Sequence, residues 1–138
     1  MKNASIGFLL TVALAFSGML YAQEEEPHVF TIVTWESVSP EGGSNAERDS
    51  LAAIWVENAV EKNEFIVNAT TMSHMWGSNS SDFLVIKEYK NFEDIRKAQN
   101  RNTELFREFM PDNDKRAEFF KAFFAYFGKH SDEIYQGN

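Results

Sequence analysis

The chain has no cysteine, three prolines, and only 13 lysines and arginines against 21 aspartates and glutamates. Without cysteine there is no disulfide to staple a small domain, no thiolate nucleophile, no sulfur-rich zinc site and no lipid-modified cysteine anchor. Stability must then come from an apolar core. The shortage of basic residues leaves a formal net charge of −8 at pH 7, and such a field repels phosphate backbones and anionic membrane surfaces. Nucleic acid is therefore a poor partner. A metalloprotease HExxH, a phosphate-binding glycine loop and a GxSxG elbow are also missing, and the corresponding hydrolase and nucleotide chemistries lose their support with them.

What is present begins with a leader. Lys2 stands before an apolar stretch over 6–16, and a looser segment ends at Ala22. This is the order of a cleavable signal peptide, with the cut before Gln23. Leu20 departs from the small residue preferred three positions before the cut, so the exact site is free to move by a few residues. The apolar run is too short to span about 30 Å of hydrocarbon, and Glu24, Glu25 and Glu26 follow at once. The expectation is a signal peptide over 1–22, no stable membrane anchor, and an exported domain over 23–138, periplasmic or secreted. Removal of Lys2 takes the formal charge to −9.

Residues 28–38 are rich in β-branched and aromatic side chains and read as a strand apolar on both faces. Ser44 followed by Glu47 fits a capping box for a helix over about 45–62, whose apolar face carries Leu51, Ile54 and Trp55. Strand character returns over 64–76 and again over 82–90, and the glycine and serine cluster at 77–81 joins the two as a hairpin. Asn91 caps a helix to about Met110, which Pro111 ends, and a second helix runs from Asp112 or Asn113 to Phe127 with Gly128 as its C-terminal cap. In the tail only 131–135 reads as a short strand.

This βαββα order, with an added helix and a short last strand, resembles the ferredoxin-like dimeric α+β barrel superfamily over residues 28–135. The resemblance rests on element order. It implies an α+β fold with an antiparallel sheet covered by helices on one face, two such sheets facing each other in a homodimer, and a pocket between each subunit's helices and its own sheet. Members include cofactor-independent monooxygenases, haem-degrading enzymes and proteins of unknown activity. A haem-degrading member would hold iron through a histidine of the second helical region; 91–127 has none, so no cofactor is expected. The aromatic helix after Pro111 and the short fourth strand depart from the simplest members.

Strand alternation over 64–76 places His74 beside Met72 and Trp76 on one face. There the imidazole would act as a general base and the indole would position a planar substrate; the bland reading is a half-buried histidine satisfied by a backbone carbonyl. His130, Asp132 and Glu133 offer cation ligands within four residues, His130 and Asp132 on one face if the tail is extended; the bland reading is a polar tail pinned by Ile134 and Tyr135. The aromatic helix presents Phe120, Phe123, Phe124 and Phe127 as one core stripe, with Phe119 and Tyr126 off it, toward a cavity or a second subunit. Asn68 and Asn79 head glycosylation-type triplets that arise often by chance.

The leading expectation is an exported protein that binds a small apolar or aromatic molecule between sheet and helices, lined by Trp35, His74, Trp76 and Phe120, with cofactor-independent oxygenase or isomerase chemistry at His74 if it is catalytic. The alternative is a non-catalytic exported interaction domain that uses its aromatic surface for dimerisation or partner binding. An enclosed cavity reached by His74 or Trp76 favours the first; a filled interior with exposed aromatics in one patch favours the second.

Overall fold

The computed structural model describes residues 26–138; the leader and its cleavage site lie outside the described residues. The elements run β1 (Val29–Ser37), α1 (Asn45–Trp55), a one-turn π-helical segment (Val56–Val60), β2 (Asn68–Ser73), β3 (Asp82–Tyr89), α2 (Phe92–Phe109), α3 (Asn113–Phe124) and β4 (Phe127–Gln136). The sheet is antiparallel throughout, in the order β2-β3-β1-β4. This is the ferredoxin-like α+β arrangement that the element order implied.

Register fixes the two faces of the sheet. Trp35 pairs with Phe83 and His130, Val33 with Val85 and Asp132, Thr31 with Lys87 and Ile134, and Val29 with Tyr89 and Gln136. Because side chains alternate, these rows share one face. Phe83 and Phe127 pack there with Tyr126, Leu51 and Phe123, so it is the helix-facing side. The outer face carries Phe30, Ile32, Leu84, Ile86 and Met72.

The helices owe much of their cohesion to one another. Ala59, Phe106 and Phe119 are buried together, with Ile54, Trp55 and Phe120 against them. Local signals set their starts: the Asn91 side chain accepts from the Asp94 N–H at the head of α2, and Asp112 accepts from the N–H groups of Asp114 and Lys115 at the head of α3. At α1 the Ser44 hydroxyl accepts from the Glu47 N–H, as a capping box requires. The reciprocal half is different. The Ser44 N–H donates to the Tyr126 hydroxyl at 3.1 Å, and that hydroxyl donates to Glu47 Oε2 at 2.5 Å, so a residue 79 positions away stands inside the cap.

Several boundaries move. β2 ends at Ser73 rather than reaching residue 76, and α1 stops at Trp55, where the backbone widens into the π segment. β4 spans ten residues and includes Gly128, which is therefore not a helix cap. The β1–β4 register shifts between Trp35 and Ser37, and a Cβ at 128 would stand 2.9 Å from Glu36 Oε2 and 3.4 Å from its Cβ; the close approach at this bulge accounts for the glycine. The α3 stripe also rotates. Phe119 and Tyr126 are buried, whereas Phe124 is half exposed, because α3 packs edge-on between the α2 core and the sheet.

Candidate functional site

On β4 the helix-facing residues His130, Asp132, Ile134 and Gln136 are all exposed. The helices sit over the central strands and leave this edge strip open. At one end, the His130 ring lies 4.2 Å, centroid to centroid, from the Trp35 indole, which also meets Phe127 at 5.6 Å and Phe124 at 6.3 Å. His130 Nδ1 lies 3.0 Å from Asp132 Oδ2. The pair is one of charge rather than of hydrogen-bond alignment: the carboxylate attracts the imidazole when that ring is protonated. At the other end Val29 and Ile134 face Asn91 and Phe92 across a groove of about 560 Å³.

Deeper on the same face, on β3, stands Lys87. It has no hydrogen bond and no ion pair among the described residues, and burial pushes its ammonium below the ordinary lysine value. Its neighbour two positions on, Tyr89, is buried with its hydroxyl 3.4 Å from Thr31 Oγ1. Burial raises that phenol above the usual tyrosine value, against the opposing influence of Thr31.

The four residues expected to line one cavity are not brought together within the protomer. Trp35 takes its place in the strip. Phe120 belongs to the interhelical cluster, 5.2 Å from Phe106 and 5.6 Å from Trp55, and is separated from Trp35 by Phe124. His74 lies one residue past β2; its N–H donates to the Asp82 carbonyl, which continues the ladder by one step and sets it with Met72 toward the outer face. Its Nδ1 is buried without a hydrogen-bond partner, so the backbone-carbonyl reading does not hold either. The ring lies against Gly77, where a Cβ would come within 2.9 Å of Nε2 and where φ is +135°. Trp76 is 94% exposed and shares no wall with His74, because the chain has left the strand and period-two alternation no longer applies.

In the tail, extension does place His130 and Asp132 on one face. Glu133 points to the other and accepts a hydrogen bond from the Tyr135 hydroxyl. The three candidate cation ligands therefore do not converge, and among the described residues no group of three or more His, Cys, Asp or Glu side chains is placed to hold a metal. The sequence held the His130–Asp132 spacing but no sign that Trp35 would lie beneath it; that needs the β1–β4 register.

No protein-family model and no curated protein matches the chain. Solved structures do. A conserved protein from Methanosarcina mazei Go1 is similar at 12% identity and a TM-score of 0.54, covering 83% of this chain and 96% of that one. SnoaB, a cofactor-independent oxygenase from Streptomyces nogalater, is similar at 11% identity and a TM-score of 0.51, over 81% and 94% of the two chains. A dimeric ferredoxin-like protein from an uncultured marine organism matches at 11% identity and a TM-score of 0.54, over 83% and 90%. At these identities the likeness establishes the fold alone.

Proposed function

We propose that this chain is an exported homodimeric protein that binds a small planar apolar or aromatic molecule on the helix-facing side of its sheet, beside Trp35. One observation carries the reading: an imidazole 3.0 Å from a carboxylate and tilted over an indole at 4.2 Å between centroids, on a strip open to solvent. The indole supplies a flat apolar surface. His130 Nε2 takes a proton from an acidic C–H or O–H of the ring bound there, leaving an electron-rich anion, the species from which oxygenase or isomerase chemistry without a cofactor starts. SnoaB, on the same fold, supports that reaction class. His130 replaces His74 as the proton acceptor. Homodimer formation is supported by the uncovered apolar outer face, and export by the leader over 1–22.

Titration with 1-naphthol, followed by the imidazole NMR resonances of the full chain, tests this. Saturable movement of the His130 signals that disappears in a Trp35→Ala variant is the expected result. Movement confined to His28 and His74, or none at all, sinks the proposal. A second reading, a non-catalytic interaction domain, is favoured by Met75 and Trp76, exposed at 98% and 94% side by side in the loop that joins β2 to β3. On that reading wild-type protein ignores 1-naphthol, and Trp76→Ser alters its association.

A further inference from the structure

On the outer face the register lays side chains in rows across β2, β3, β1 and β4. One row is Met72, Leu84, Thr34 and Ser131; the next is Thr70, Ile86, Ile32 and Glu133; the third is Asn68, Glu88, Phe30 and Tyr135. From each row to the next, the apolar or aromatic pair moves over by one strand. These residues therefore form a diagonal stripe from Met72 to Tyr135. It crosses three strand spacings while advancing four residues, about 14 Å each way, and so lies about 45° to the strands. Its two flanks differ in charge. On one side stand the carboxylates of Glu36, Asp82 and Glu133. On the other stand Thr70, Asn68 and Glu88, whose carboxylate meets His28 at 2.6 Å.

Two copies packed sheet to sheet can lay stripe on stripe about either of two in-plane two-fold axes, one along the stripe and one across it. Both make the strands of the two sheets cross near a right angle. Charge separates them. The axis across the stripe sets each flank on its own kind, so Glu36, Asp82 and Glu133 of one copy face the same three carboxylates of the other, and like charges held that close oppose association. The axis along the stripe sets them over the flank of Asn68, Thr70 and the His28–Glu88 pair. We propose that the homodimer is built on the axis along the stripe, which places the partner's Asn68 over Ser131. This rests on the homodimer of the reading above and names the surface of the second copy that completes each site. Thr34, Glu36, Asp82 and Ser131 line a groove of about 310 Å³ that also reaches His130. The start of the partner's β2 roofs that groove, so the polar wall next to His130 is closed only in the dimer.

Because the chain has no cysteine, single cysteines report the arrangement, and Asn68, Met72, Ser131 and Tyr135 are all exposed. With a short bismaleimide, Met72→Cys and Tyr135→Cys in the full chain should each crosslink to themselves, read as a doubled mass on a denaturing gel. Ser131→Cys and Asn68→Cys should each stay single alone and crosslink when the two variants are mixed. Ser131→Cys joining to itself, with Met72→Cys joining Tyr135→Cys in a mixture, sets the axis across the stripe and overturns the inference while leaving the homodimer intact. Absence of all these crosslinks in variants that sediment as dimers does the same. A wild-type chain that sediments as a monomer at about 100 μM overturns both. Thr34→Cys mixed with Thr70→Cys replaces the mixed pair if Ser131→Cys or Asn68→Cys disrupts the dimer.

Discussion

At neutral pH the Lys87 ammonium works against the fold, because burial disfavours its charged form and no described carboxylate offsets this. A depressed folded-state pKa means that the native state binds this proton more weakly than the unfolded chain does. The penalty is therefore fully present below the folded value and fades as pH rises toward the ordinary lysine value near 10.4. Lys87→Met should accordingly be more stable than wild type at pH 7, by about 1 kcal/mol, and the gap should narrow above pH 9. Denaturant unfolding of the pair at pH 7, 9 and 10 checks it; a gap independent of pH counts against an unpaired charge as the cause. Tyr126 carries the opposite sign. Its hydroxyl donates to Glu47, which holds the phenol above its usual value, so its contribution is present below the ordinary tyrosine value and lost as pH climbs past it. Tyr126→Phe should lower Tm by several degrees at pH 7, since the Ser44 N–H loses its acceptor and Glu47 its donor. Thermal scans at pH 7 and pH 10.5 should show the two proteins converging at the higher pH.

Elements whose causes are local were legible in the sequence, and those whose causes are distant were not. The α2 cap is a case of the first kind: Asn91 and Asp94 are three residues apart and bond as their spacing dictates. Asn91→Ala should cost about 1 kcal/mol, read by chemical unfolding, and the exposed Lys90→Ala should cost nothing measurable. β1 and β3 announced themselves through β-branched and aromatic runs. β4 did not. Gly128, Lys129 and His130 have no strand pattern, and what makes them part of the strand is a ladder to β1, roughly a hundred residues earlier. The charges on β4 suit an edge strand, since they discourage further pairing. The same distinction governs the site. Trp35 lay in a clear strand and was identified, whereas His130 and Asp132 acquire a role only from the register that brings them onto it. His74 and Trp76 went astray because a period of two was extended three residues beyond the end of β2.

At the scale of the whole molecule, the helices cover one side of the sheet and leave the other bare. Phe30 and Ile32 on β1 and Leu84 and Ile86 on β3 form a contiguous apolar centre on that outer side, flanked by Met72 and Tyr135. A patch of this kind on a monomer is a liability. Two copies placed sheet to sheet would cover it, and the proposed homodimer would then be held by apolar contact across its middle. Each chain carries a formal −8, so the copies repel one another at long range, and screening that repulsion should help association. Dimer affinity should therefore rise between 20 mM and 300 mM salt. An interface built on ion pairs would weaken over that range. Ile32→Glu, which puts a like charge from each copy near the centre of the contact, should weaken the dimer by at least a hundredfold, with far-ultraviolet circular dichroism unchanged because the residue faces away from the helices. Sedimentation equilibrium at both salt concentrations reads each effect. A wild-type chain that stays monomeric at about 100 μM would remove the barrel assembly and leave the helix-facing strip to act within a single protomer.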